Sequence, residues 1–132
     1  MITYIITCAL ASYKGKYLIG KRSANKKFAP NKWEFISGFI EEKEPAEETI
    51  LRELKKETSL NGKIIKSANP YWEIIKDERW ITLPFLIETD TATFKLNLKE
   101  HSELKWVNKN ELNNYPDLLY DVKNMSKAGL LK

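Results

Sequence analysis

Apolar and β-branched residues crowd Ile2–Ala11 and return over Tyr17–Lys21, with Lys14-Gly15 between them, so the chain is expected to open as a β-hairpin. Ser23–Lys32 is polar and carries Pro30, which predicts a loop. Trp33–Ile36 reads as a short strand broken by Ser37-Gly38. The clearest helix is predicted over Pro45–Thr58. Proline suits the first turn, Ala46, Ile50, Leu51 and Leu54 recur on one face, and Asn61-Gly62 offers a stop. Strands are expected at Lys63–Ser67, Tyr71–Ile75, Trp80–Glu88, Phe94–Leu98 and Leu104–Val107. Pro84 argues for an edge or bulged position for the third of these, and Phe94, Leu96 and Leu98 alternate cleanly. Asn108 and Glu111 have the spacing of a capping box for a short helix. A last helix places Leu118, Leu119, Val122 and Met125 on one face. Strands interleaved with two or three helices define an α/β or α+β sandwich.

At 132 residues the chain is sized for one domain spanning 1–132, with a core large enough to stand without staples. Its lone cysteine, Cys8, excludes an internal disulfide framework and a cysteine-based zinc cluster, and lies in an apolar run that should bury it. The opening run lacks a basic lead and is too short for a signal peptide or a membrane span, so a cytoplasmic protein is expected. The net charge of +4 is uneven: Glu41–Glu57 holds seven acids against four bases, leaving +7 for the remainder. An acidic knot within a basic shell suits a cation site on a surface that attracts anions, or simply a solvated helix face.

Glu53 and Glu57, four residues apart, share a helix face. Like charges at that spacing repel, by a few tenths of a kcal/mol at about 0.2–0.5 in an isolated helix. A hard divalent cation bridging both carboxylates would reverse the penalty, and Arg52 is near enough to orient one of them.

Gly38, Glu44, Arg52, Glu53, Leu54, Glu57 and Leu60 fall at the spacing G-x5-E-x7-R-E-U-x-E-E-x-G-U, with U a bulky aliphatic. This segment resembles the Nudix box. Two positions depart from it: Lys56 stands where the first glutamate of the E-E pair belongs, and Ser59 replaces the last glycine. The flanks agree. Trp33–Gly38 resembles the W-E-F-P-G-G lead-in of MutT-type members, Arg79–Leu83 is similar to their R-H-I-T-L strand entry, and Glu100 followed by Trp106 looks like their E-(x5)-W segment.

The resemblance implies an α/β/α sandwich around a mixed sheet and a hydrolase that cleaves the pyrophosphate bond of a nucleoside triphosphate or related nucleoside diphosphate derivative. Its cofactor would be Mg²⁺, with Mn²⁺ as an alternative. Carried over residue by residue, it makes Glu53 and Glu57 metal ligands, one of them or a metal-held water being the base. Glu100 becomes a further ligand or base, and Ser37 a ligand through its backbone carbonyl. Gly38, Glu44 and Arg52 would hold the loop–helix geometry, while Arg22, Glu34, Phe35 and Arg79 would contact nucleotide. The position of the purine-reading asparagine is Leu119, which leaves Asp117 or Asp121 to read a base edge. Oxidised or non-standard deoxynucleotides are one substrate class the likeness suggests.

Other residues take plainer readings. Glu47 and Glu48 are expected to be surface charge, His101 a solvent or loop residue rather than a ligand, and Trp106 core; Trp80 divides between core and pocket wall. Two rival functions follow. One is a Nudix fold whose catalysis lapsed with Lys56, kept as a nucleotide- or protein-binding module. The other is nucleic-acid binding, disfavoured because the basic residues form no stripe interleaved with aromatics.

Overall fold

The apolar run near the N-terminus becomes one long strand, β1 (Ile2–Tyr13), in a computed structural model that describes residues 1–132. Its centre, Thr7–Ala11, is buried throughout, which is why it reads as a continuous run rather than an alternation. Cys8 and Leu10 join one core cluster and Ala9 and Ala11 the other, as the two-residue period of a strand requires. β2 (Lys16–Arg22) turns back on β1 only at the hairpin, then departs to pair with β3 (Trp33–Glu34) on one side and β8 (His101–Val107) on the other. The place beside β1 goes to β4 (Ile36–Phe39), antiparallel, and to β7 (Glu78–Thr89), parallel. β7 in turn carries β5 (Gly62–Ser67) and β6 (Tyr71–Ile75) on its far side.

Helices cover both faces. α1 (Ala46–Thr58) seats Ile50 and Leu54 on Ala9, Ala11, Ile36, Phe85 and Ile87. Ile36, Ile50, Leu54 and Ile87 are fully buried, and each is worth about 1.5–3 kcal/mol of transfer free energy. On the opposite face two 3₁₀ turns (Asn110–Asn114 and Pro116–Leu118) lead into α2 (Leu119–Lys127). They seat Leu112, Leu118 and Met125 on Cys8, Leu10, Ile19 and Phe35. This is the α/β/α sandwich around a mixed sheet. No helix is long and apolar enough to cross a membrane.

The Asn108–Glu111 capping box forms reciprocally, each backbone N–H donating to the other side chain at 3.0 Å. Cys8 is buried, Glu47 and Glu48 are exposed, and Trp106 is partly buried with its indole N–H on the Ala92 carbonyl.

Five expectations need correction. Phe94–Leu98 is not a strand: alternation supplies a face but no partner, and its backbone bonds run to the end of α1, Lys95 N–H donating to Thr58 O, and into the turn that follows, Asn97 O accepting from the Glu100 and His101 N–H groups. The strand expected at Trp33–Ile36 is two strands divided at Phe35, and Ser37-Gly38 lies within the second rather than ending it. Pro84 sits inside β7, between neighbours on both sides. It is tolerated because its carbonyl, and therefore its nitrogen, faces the junction where β6 gives way to β5. Leu119 points to solvent at 48% exposure, so the buried face of the last helix is carried by Leu118 and Met125.

Finally, α1 stops before Asn61-Gly62. Ser59 ends it at φ 66°, its N–H donating to Lys55 O at 2.8 Å. A side chain in that left-handed conformation costs about 1–2 kcal/mol that glycine avoids, partly offset by glycine's greater freedom when unfolded. Ser59→Gly is therefore expected to stabilise the fold by about 0.5–1 kcal/mol, seen as a higher denaturant midpoint at unchanged slope. An unchanged or lower midpoint would show that the left-handed turn carries no strain.

Candidate active site

Four segments converge on the α1 side of the sheet: the end of β2, the β3–β4 segment, one face of α1, and the loop entering β8. The geometry begins with glycine. A Cβ on Gly38 would lie 2.4 Å from Glu53 Cγ, and one on Gly20 would lie 2.5 Å from the His101 ring. Both glycines thus admit a functional side chain where any larger residue would expel it.

On α1, Arg52 grips Glu44 with a two-pronged contact, Nε to Oε2 at 3.1 Å and Nη2 to Oε1 at 3.0 Å, while Nη1 donates to Glu53 Oε1 at 3.0 Å. The Arg52 fork and the Thr49 hydroxyl hold Glu44's carboxyl below the usual carboxylate range. Arg52 therefore ties the loop before α1 to the helix and aims Glu53 at once. Glu57, one turn on, is 2% exposed. Burial first, then the neighbouring carboxylates Glu34, Glu53 and Glu100, push its carboxyl well above the ordinary range. Glu57 is the member of this carboxylate cluster that no lysine or arginine pairs, and a cation would neutralise it.

Glu34 is fully engaged. Its Oε1 accepts from Arg22 Nη1 at 3.0 Å and the Ser37 hydroxyl at 3.1 Å, and its Oε2 lies 2.8 Å from His101 Nε2. His101 is 0% exposed. Its Nδ1 faces Glu57 Oε1 at 3.7 Å and makes no hydrogen bond. The expectation of a solvent or loop role for this histidine is thus overturned by its burial among carboxylates. Glu100 is held by two ammonium groups, Lys26 on Oε2 at 2.7 Å and Lys56 on Oε1 at 3.6 Å. Burial pulls its carboxyl upward, but the two lysines outweigh that and keep it below the usual range. Lys56 also lies 4.0 Å from Glu53 Oε2.

A cleft of about 770 Å³ opens from this cluster between the sheet and α2. Arg22, Glu34 and Ser37 line its inner end, and Phe28, Phe39 and Trp80 form one wall. Trp80 is backed by Tyr4, stacked at 4.4 Å between centroids, so it belongs to the pocket wall. The other wall carries Glu73, Tyr120 and Asp121. Asp121 accepts from the Tyr71 hydroxyl at 2.5 Å on Oδ1; burial raises its carboxyl, only partly countered by that bond.

The structure brings together Glu53, Glu57, Glu100, Ser37, Glu34 and Arg22. Phe35 and Arg79 lie apart from the cleft lining. Phe35 is in the α2-side core at 1% exposure. Arg79 alternates onto the opposite sheet face from Trp80 and donates to Thr3 Oγ1 at 3.2 Å. Sequence reasoning missed Lys26 as a partner of Glu100 and His101 as a site residue. A signal for the second existed: the only histidine follows the motif glutamate Glu100 directly.

Paired helix carboxylates aimed by an arginine, close to an aromatic-walled cleft, are an arrangement suited to the hydrolysis of phosphoanhydrides. The NUDIX domain model matches residues 2–127, and the chain belongs to the Nudix hydrolase family. It is 27% identical to the nucleoside triphosphatase NudI of Klebsiella pneumoniae (strain 342), covering 96% of this chain and 96% of that protein. Among solved structures it is similar to the MutT protein of Methanosarcina mazei Go1, with a TM-score of 0.83 at 24% identity over 96% of this chain and 94% of that one. It is also similar to the NUDIX domain of Shewanella oneidensis NrtR complexed with ADP ribose, with a TM-score of 0.73 at 18% identity over 96% and 87% of the two chains.

Proposed function

We propose that the protein is a divalent-cation-dependent nucleoside triphosphate pyrophosphohydrolase acting in the cytoplasm, with Mg²⁺ or Mn²⁺ as cofactor. The observation that carries this reading is the link between the two: Glu34 lines the aromatic cleft and holds His101, whose other nitrogen faces Glu57, one helical turn from the Arg52-aimed Glu53. The likeness to NudI along almost the whole chain supports the triphosphate as substrate. Glu53, Glu57 and the Ser37 carbonyl would hold the ion, and the donor set fits, since hard oxygen ligands suit it and no lysine or arginine pairs with Glu57. When bound, the ion supplies charge neutralisation on phosphate oxygens and a lowered pKa for water.

The chain's own residues do the rest. Trp80 and Phe28 offer a stacking wall for a nucleobase, and Asp121, with Oδ2 free of the Tyr71 bond, accepts from a base edge rich in N–H donors. Arg22, through its pairing with Glu34, sits at the inner end where phosphate enters. Water adds to the β-phosphorus, the bridging bond to the α-phosphate breaks, and nucleoside monophosphate and pyrophosphate leave. Glu53 or Glu57 takes the water's proton; Glu100, held by two lysines, is the weaker base. A second reading, a nucleotide-binding module with lapsed catalysis, is favoured by one observation: the Lys56 ammonium stands between Glu53 and Glu100.

Product formation from a panel of nucleoside di- and triphosphates, ADP-ribose and dinucleoside polyphosphates, with and without Mg²⁺, separates the two, pyrophosphate being read for the triphosphates and the released nucleotide or phosphate for the others. Release from triphosphates is expected, with Asp121→Asn raising KM about tenfold for bases presenting N–H donors and less for others. Nucleotide binding without release would establish the silent module.

A further inference from the structure

We propose that His101 is a ligand of the bound ion through Nδ1, together with Glu57, so that this centre holds a first-row transition ion such as Mn²⁺ more tightly than Mg²⁺. The proposal rests on the cation-dependent reading above and names the chemistry of its cofactor.

His101 Nδ1 is the buried side-chain nitrogen or oxygen without a hydrogen-bond partner, and an orphaned polar atom in a protein interior is costly. Its direction is fixed from behind. Gly20 leaves the space the ring fills, and Glu34 receives the opposite nitrogen at 2.8 Å. Because Glu34 is already paired with Arg22 and the Ser37 hydroxyl, it acts as an acceptor, so the ring donates from Nε2. In the neutral ring, Nδ1 then carries the lone pair, directed toward Glu57 Oε1 across 3.7 Å. That gap is too wide for a hydrogen bond. Two donors that share one ion at about 2.1 Å each lie roughly 3.0–3.4 Å apart, so a closing movement of a few tenths of an ångström would let both reach it. Glu34, His101 and Glu57 offer ligand atoms that all lie within 4.8 Å of one another. A ligating histidine that hands its other N–H to a carboxylate is the usual arrangement in metal centres, with the carboxylate setting tautomer and ring angle. Imidazole nitrogen suits first-row transition ions, and Mn²⁺ is the one among them that also accepts the carboxylate and carbonyl oxygens to which Mg²⁺ keeps.

The chain has one histidine, which makes the assignment directly readable. Full-length protein is produced with natural-abundance and with ¹⁵N-labelled histidine, loaded with Mn²⁺, and measured by pulsed electron paramagnetic resonance. A directly bound nitrogen whose modulation changes from the ¹⁴N to the ¹⁵N pattern is expected. In calorimetric titrations with each metal alone, Mn²⁺ is expected to bind at least about tenfold more tightly than Mg²⁺. His101→Gln should weaken Mn²⁺ by about 10-fold or more and leave Mg²⁺ within about threefold. Bound Mn²⁺ without nitrogen modulation, or equal losses for both metals in the variant, would overturn the proposal and make His101 a positioning residue for Glu57. The wild-type spectrum decides this even if the variant fails to fold. No binding of either metal would overturn it too, and pyrophosphate release in Mg²⁺ then decides separately whether the hydrolase reading survives.

Discussion

Glu57→Gln and Glu53→Gln are each expected to lower turnover at least about a hundredfold, a loss of roughly 2.7 kcal/mol of transition-state stabilisation, without unfolding the protein. Glutamine keeps the shape and hydrogen bonding of the side chain but loses the charge that binds a cation and the basicity that takes a proton. The stability readout carries a sign of its own. Burial and the carboxylates around Glu57 raise its folded pKa above the unfolded value. At low pH both states hold the proton and the site is neutral in its effect. As pH rises from the ordinary carboxylate range through the folded value, the unfolded chain releases its proton first and stability falls. Glu57→Gln removes that loss. In chelator-treated protein near neutral pH the variant is expected to melt at or above the wild type, with a flatter dependence on pH. Glu47→Gln, on the exposed face, should change neither activity nor melting. Near-normal hydrolysis in both active-site variants would remove α1 from the chemistry, and a large loss at Glu47 would mean the wrong helix face has been assigned.

Lys56→Glu is expected to tighten Mg²⁺ binding about tenfold or more and to raise turnover when Mg²⁺ is limiting. Lys56 Nζ lies 3.6 Å from Glu100 and 4.0 Å from Glu53, a place a cation would otherwise take. At an effective dielectric of 20, an ammonium about 6 Å from a divalent ion is repelled by roughly 5 kcal/mol before solvent screening. The side chain is 53% exposed, so it can swing away when an ion arrives, and the measured penalty will be smaller. Calorimetric titration with Mg²⁺ and initial rates over a Mg²⁺ series check both halves. Unchanged affinity would place Lys56 outside the ion's surroundings. Higher affinity with lower turnover would show that the ammonium serves a phosphate, a variant mechanism in place of a weakened one.

The legible parts of this molecule were those that local spacing determines. α1 announced itself because Ile50 and Leu54 recur at helical intervals, and Glu53 and Glu57 followed onto one face by the same geometry. The Asn108–Glu111 box was readable because both partners are three residues apart. What pattern could not show was partnership at a distance. Phe94–Leu98 alternates as a strand does, yet no neighbouring strand is there to accept it. Phe35 and Arg79 have residue types suited to a nucleotide pocket. One is turned into the core and the other across the sheet by strand registers that depend on β1, β2 and β7 together. His101 was missed because a register shift between Lys21 and Arg22 seats it opposite β2, and nothing in the neighbouring residues signals that irregularity.

The proline inside β7 divides the molecule's labour. Up to Thr82 that strand is bordered by β6, which supplies Glu73 to the cleft wall; from Phe85 onward it is bordered by β5, on the side packed against α1. No continuous ladder crosses Pro84 on that side, so β6 is fastened to the rest by β7 itself and by the hydroxyls of Tyr71 on Asp121 and Tyr120 on the Trp72 carbonyl. Changes in β6 that reshape the wall are therefore transmitted poorly to the helix bearing Glu53 and Glu57. A fold jointed in this way can acquire new substrate preferences by drift in one short strand while its hydrolytic apparatus stays as it was.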